Sequence, residues 1–210
     1  MKRTPTKRTP RSIIDLRPLP DVVFGPRDIM WWGTLGFVVI EGFTLVLCAA
    51  AYVYLTQNCS TWPPEHTPLP SLGWPTVQVI VMLASLPLMW WLAKAARRFD
   101  LGKVRIGLIA GTLFNIAFVG LRLVELLVSL NVKWDTNAYG SAQWLLLVMH
   151  GTLLTVELVE VGGMMLIFWL TPVEEKHFSD VSDMTFYWAF MTLGWMPLYV
   201  LCFWVPRWLQ

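Results

Sequence analysis

Charge is scarce in this chain. Asp, Glu, Lys and Arg make up 14% of its 210 residues, against about 25% in an ordinary soluble domain. Histidine and cysteine are scarcer, with three of each. Cys48, Cys59 and Cys202 lie far apart and form no Cys-x-x-Cys pair, which argues against a disulfide framework or a thiolate metal site. Of His66, His150 and His177, only His150 falls inside an apolar run, which argues against a membrane haem held by two histidines. A di-iron carboxylate site wants Glu-x-x-His on each of two helices, and Glu157-x-x-Glu160 supplies no such histidine. Phosphate-binding loops, dinucleotide fingerprints and hydrolase motifs are missing from the sequence, and no feature suits nucleic acid.

What is present is apolar surface. The chain is 56% hydrophobic, holds 13 Trp and has a mean hydropathy of +0.55. A soluble fold of this size has too little interior to hide it. Five hydrophobic runs, at about 29–55, 76–93, 106–130, 142–170 and 184–205, match the length that crosses about 30 Å of hydrocarbon at 1.5 Å per residue. The fold class expected is therefore all-α: a polytopic bundle of five transmembrane helices, residues 29–210, behind a basic, Pro-rich tail at 1–28. No short apolar core with a small-residue cleavage site precedes the first run, so no cleaved signal peptide is expected. Trp31, Trp32, Tyr52, Tyr54, Trp90 and Trp91 sit at run edges, where aromatic rings anchor at the membrane interface. Pro87 is expected to kink the second span. Thr171 to Asp183, with Glu174, Glu175, Lys176 and His177, reads as a charged connection.

The distribution of cations gives an orientation. Seven Lys and Arg lie in the tail, five between Lys94 and Arg105, and Lys176 in the last connection; the opposite side holds only Lys133 and Arg207. Positive residues stay on the cytoplasmic side, so the expectation is N-terminus inside and C-terminus outside. The basic tail suits an anionic leaflet or a solvated topogenic role.

A few ionisable groups remain inside the runs: Glu41 in the first, Arg122 and Glu125 in the third, His150, Glu157 and Glu160 in the fourth. Each costs at least about 2–3 kcal/mol at the bilayer centre, so each should face protein, water or a lipid headgroup. Arg122 and Glu125 are three residues apart and can pair along one helix face; His150 and Glu157 share a face at a spacing of seven. Two readings of these groups are open: ion pairs and hydrogen bonds between helices or to lipid, and a proton relay through Glu41, Glu125, His150 or Glu157.

Taken in order, several landmarks resemble subunit III of the haem–copper terminal oxidases. They are Trp32-Gly33-Thr34 leading to Glu41, Trp62-Pro63-Pro64, Ala93-Lys94-Ala95, Arg122-Leu123-Val124-Glu125, Tyr139-Gly140-Ser141 with Met149-His150-Gly151, His177-Phe178, and Tyr187-Trp188-Ala189-Phe190 followed by Trp195 and Leu198-Tyr199. They span residues 29–205, and their order and spacing carry the resemblance. Leu153 and Ala189 stand where the family pattern has histidines, so any role of those two positions does not transfer. The longer family members have two further helices ahead of these five, across a cleft that holds phospholipid; here a partner would complete such a cleft. The resemblance implies a non-catalytic subunit of a respiratory oxidase in a bacterial plasma (inner) membrane. On it, the chain carries no haem or copper of its own, since these belong to its partner subunits I and II; it packs on subunit I, binds membrane lipids, and supports proton uptake and turnover. Glu41, Arg122, Glu125, His150 and Glu157 are the candidate polar anchors for lipid headgroups or water. The alternative is a subunit-III-like assembly or stabilising factor of a nitric oxide reductase or another respiratory complex. An independent proton-coupled transporter is disfavoured because no inverted repeat or paired broken helices are visible.

Overall fold

The computed structural model describes residues 22–209. The expected basic tail lies largely outside them, including Lys2, Arg3, Lys7, Arg8, Arg11 and Arg17. Among the described residues the regular structure is helical throughout, with five helices long and apolar enough to cross a bilayer. They are α1 (Ile29–Asn58), α2 (Gly73–Ala96), α3 (Leu101–Val124, continued by a π-helical turn Glu125–Ser129), α4 (Ala138–Leu170) and α5 (Glu175–Tyr199). A further π-helical turn, Val200–Trp204, and a last turn, Val205–Trp208, extend α5.

Local chemistry sets several of the starts. Asp28 accepts from the Met30 N–H at 3.1 Å, Asp100 from Lys103 N–H at 3.1 Å, and Asn137 from Gly140 N–H at 2.8 Å, each closing an otherwise unpaired first-turn donor. The fifth helix begins earlier than the charge pattern suggests. Glu174 is its N-cap, the Glu174 N–H donates to His177 Nδ1 at 3.1 Å, and Glu175 occupies the first turn. The run of acids read as a connection is a helix start, where negative side chains meet the positive end of the peptide dipoles. Pro87 lies within α2, which is helical on both sides of it.

α2, α3, α4 and α5 pack as a four-membered ring, α2 on α3, α3 on α4, α4 on α5 and α5 on α2. α1 leans against α4 and α5 from outside that ring. The difference in burial is large: 6% of the apolar window of α1 is covered by protein, against 39% in α5. Phe37, Ile40, Phe43 and Val46 of α1 are exposed, a face that hydrocarbon or a partner helix satisfies and water does not. Small residues let the ring close. A Cβ on Gly107 would stand 2.7 Å from Leu92 Cδ1, and one on Gly111 would stand 3.2 Å from Met89 Cε and 3.5 Å from Val161 Cγ1, so α2, α3 and α4 approach closely there. Trp188 fills the middle of the ring, fully buried, and donates to Ser85 Oγ at 2.8 Å.

The two ends are closed differently. At the end carrying the α1–α2 and α3–α4 loops, Trp62 donates to Tyr52 OH at 3.0 Å and stands edge-on to Tyr139, with ring centroids 5.2 Å apart. Gln143 donates to Cys202 O at 2.5 Å and to Tyr139 OH at 3.1 Å. Arg207 reaches back to Pro70 O at 2.5 Å, tying the end of the chain to the first loop. At the opposite, basic end, Phe99 (in the left-handed region, φ 53°) wedges between Phe24 and Phe178, and Arg105 Nε donates to Phe168 O at 2.8 Å.

Candidate functional site

The polar groups buried in the spans sort into three places. The first is a cluster in the half of the ring nearest the α3–α4 loop. Arg122 of α3 is 2% exposed and pairs with Glu125 on its own helix, as the three-residue spacing leads one to expect. Arg122 Nη2 is 3.0 Å from His150 Nδ1 of α4, and its Cζ lies 3.8 Å from the centroid of the Trp195 ring of α5. His150 stacks on the same ring, with centroids 4.6 Å apart and planes inclined by 29°. An arginine only donates, so His150 Nδ1 accepts. Its proton then sits on Nε2, which faces the Met191 carbonyl at 3.3 Å.

The cluster is a guanidinium sandwiched between one carboxylate, one imidazole and one indole face. Gly151 makes the room: a Cβ there would lie 2.9 Å from Arg122 Cγ. Trp195 is named above among the ordered landmarks, but not among the candidate site residues. The signal available was its seven-residue spacing from Trp188, which puts two large aromatics on one face of α5.

The second place is one to two turns deeper. Glu157 on α4 is fully buried, and neither of its carboxylate oxygens has a partner. Asn115 of α3 and Thr192 of α5 are likewise fully buried, with unpartnered side-chain polar atoms. Their helices put them on one level. Gly111 faces Val161 and Trp188, and one turn from each, toward the α3–α4 loop, are Asn115, Glu157 and Thr192. Seven residues further on α3 and α4 come Arg122 and His150, and three further on α5 comes Trp195. Residues from α3, α4 and α5 therefore form a continuous polar column inside the ring.

The third place is on the side of α1. Glu41 does not join the Arg122 cluster. It lies half-buried between α1 and α5, where Tyr187 OH donates to its Oε2 at 2.5 Å. Of the five candidate residues, then, Arg122, Glu125 and His150 are brought together, Glu157 extends their column, and Glu41 stands apart with Tyr187. Glu160 points to the α1 side and is exposed. Among the described residues, no three His, Cys, Asp or Glu side chains are grouped to hold a metal ion. The first cluster has no exposed nucleophile and no open face toward a substrate. What it can do chemically is hold one positive and one negative charge in a low-dielectric ring and fix three helices against one another.

Comparison with known proteins adds an independent line. No family profile matches the chain. It is 24% identical over 184 residues to cytochrome c oxidase subunit 3 of Synechocystis sp., a match covering 85% of the chain and 77% of that protein. It is 23% identical over 185 residues to cytochrome c oxidase subunit 3 of Thermostichus vulcanus, covering 86% of the chain and 89% of the relative. The chain is subunit III-like, and its five helices make it a multi-pass membrane protein.

Proposed function

We propose that this chain is the third, non-catalytic subunit of a respiratory haem–copper oxidase, packed on the subunits that hold haem and copper. The observation that carries the reading is the similarity to two cytochrome c oxidase subunit 3 chains over about 85% of its length. The geometry supports it in a second way. Of the charges inside the spans, Arg122 and Glu125 are tied to neighbouring side chains of the same bundle and Glu157 is buried without access from solvent, an arrangement that suits a scaffold. In this reading subunits I and II are the partners, oxygen reduction takes place there, and the protein lies in a bacterial plasma membrane with its basic end inside.

The thinly covered α1 is the surface best suited to a partner helix or to ordered phospholipid. Glu41, half-buried and open to that side, is the polar anchor nearest to it. Arg122, Glu125, His150 and Glu157 serve from within, holding α3, α4 and α5 in the register that presents α1.

The test is gentle purification of the full-length protein through a tag at its C-terminus, followed by an optical spectrum and oxygen-consumption assay. Haem bands that co-purify with oxidase activity support the reading. A colourless, monodisperse protein overturns it in favour of an assembly factor of a nitric oxide reductase or another complex. In the purified complex, Glu41→Ala is expected to leave haem content unchanged and to shorten the time for which activity is sustained during turnover. Loss of haem from that variant would refute the peripheral role given to Glu41.

A further inference from the structure

On the α1 side, acidic residues of three helices face one crevice. Thr34 and Glu41 of α1, Glu160 of α4, and Asp180, Asp183 and Tyr187 of α5 recur at helical spacing along its walls. Two cavities, of about 350 and 260 Å³, share Met30, Thr34 and Glu160. A third, of about 360 Å³, shares Met30 and Asp180 with the first and is bordered by Asp28 and Lys176. Together they run from the basic end of the bundle to Glu41, about 20 Å along α1 by the helical rise.

Among the described residues the crevice is of one sign. Asp28, Asp180, Asp183, Glu160 and Glu41 line it, and Lys176, the one described cation at its rim, is paired with Glu174 at 2.6 Å. Arg97 of α2 is within electrostatic reach of Asp183 but lines the separate cavity on the other side of α5. Some of these acids are already engaged: Asp28 caps α1 and accepts from Ser179 Oγ at 2.7 Å, and Glu41 accepts from Tyr187. Asp183 is not fully engaged. It is 4% exposed, lines the first cavity, and its Oδ2 has no partner. Glu157, with neither oxygen partnered, lies one turn from Glu160 on the same helix. A carboxylate buried in this way is costly unless a positive group or donor meets it.

The spacing of the acids selects the cation. A metal ion draws several oxygens to one point, and no such grouping occurs among the described residues. Here carboxylates alternate with Met30, Val156, Met164 and Ile167 along the wall, and the deep end carries the rings of Phe37 and Tyr187. An ammonium group with carbon substituents matches each element: its charge meets a carboxylate, its methylenes meet the apolar wall, and ring faces attract it further. Space is available, since a Cβ on Gly33 or Gly163, which line the crevice from opposite walls, would meet nothing within 4 Å.

We propose that this crevice binds an organic ammonium cation, taken either from the amine head of a membrane lipid or from a soluble amine entering at the basic end. The site is a property of the chain itself and stands or falls independently of whether the chain accompanies an oxidase.

The test places a thiol in the crevice. Full-length protein carrying Gly163→Cys is reconstituted into phosphatidylglycerol nanodiscs, and its modification by a cationic trimethylammonium methanethiosulfonate is compared with that by an anionic sulfonate methanethiosulfonate. The parent chain gives the background from Cys48, Cys59 and Cys202. A one-sign cleft concentrates counter-ions, so the cationic reagent is expected to react about tenfold faster or more. The ratio should fall several-fold in the Glu160→Gln/Asp183→Asn background, which leaves the charge of the lipid surface unchanged. Gly33→Cys repeats the measurement from the opposite wall, should Gly163→Cys fold poorly. Phosphatidylethanolamine in the nanodisc protects the thiol if a lipid amine is the ligand; added spermidine or ethanolamine protects it if a soluble amine is. Protection by either supports the site and identifies its source. Equal rates for the two reagents, or a cationic preference that neither amine competes away, overturns it.

Discussion

Arg122 and Glu125 make an asymmetric pair, and the asymmetry can be measured. Both are buried in the ring, Glu125 without any exposure and Arg122 at 2%. Removing one member of a buried pair leaves the other uncompensated, at a cost of about 3–5 kcal/mol. The two orphans are not equivalent. A carboxyl left alone can be neutralised by taking up one proton, whereas a guanidinium keeps its charge. Glu125→Leu should therefore fall at the full cost, about two to three and a half decades in the folding equilibrium at 1.4 kcal/mol per decade. Arg122→Met should cost less in ion-pair terms, although it also removes the donor to His150 Nδ1 and the cation over Trp195, together about 1–3 kcal/mol. The double variant replaces charge by apolar volume and should be more stable than Glu125→Leu alone. The assay is reversible unfolding in mixed detergent–SDS micelles, followed by circular dichroism for the parent, both single variants and the double. A double variant whose loss equals the sum of the two single losses would refute the coupling on which this reasoning rests.

Other expectations follow from single contacts. Gly140→Ala should destabilise by about 1–3 kcal/mol, because its Cβ would run into the Lys133 carbonyl and stand 3.1 Å from Val132 Cγ2. Gly162→Ala, whose Cβ meets nothing within 4 Å, should match or slightly exceed the parent's midpoint in the same SDS titration. Trp188→Phe removes the 2.8 Å hydrogen bond to Ser85 and part of the central packing, and should cost about 1–3 kcal/mol; an unchanged midpoint would show that the ring centre repacks freely. Asp100 caps α3 and binds Lys103, and these contacts hold its carboxyl below its ordinary 3.8. Its contribution is thus present above that value and is lost as the pH falls through the lowered folded-state value. Asp100→Asn should flatten this acid-side dependence in thermal melts between pH 5 and the acid limit of the detergent-solubilised protein.

Particular residues show how far the sequence could be read. The five spans were visible because hydropathy and length act along the chain, and a bilayer imposes both on every crossing segment alike. The Arg122–Glu125 pair was visible for a similar reason, since its members are neighbours on one helix. The start of α5 is not legible in the chain: Glu174, Glu175 and Lys176 read as a polar connection, while the first-turn hydrogen bonds that make them a helix start depend on backbone geometry. Tyr187 and Trp195 are legible as landmarks but not as site residues, because an aromatic residue in a membrane span is usually packing. Only the neighbours Glu41 and Arg122, brought from α1 and α3, give those rings a specific polar role.

Hydropathy and length along the chain are enough to establish a membrane bundle of five helices, which segments cross, and which few charges must be sheltered. Those follow from the cost of exposing polar groups to hydrocarbon, a cost paid residue by residue. The tertiary structure decided which charges share shelter. It placed Arg122, Glu125 and His150 in one ring, sent Glu41 to the other side of α5, and opened an acid-lined crevice where α1 leans on α4 and α5. The rotation of each helix about its axis sets these partnerships, and close approach at Gly107, Gly111 and Gly151 sets that rotation. Such contacts join residues dozens of positions apart and have no periodic signature in the chain.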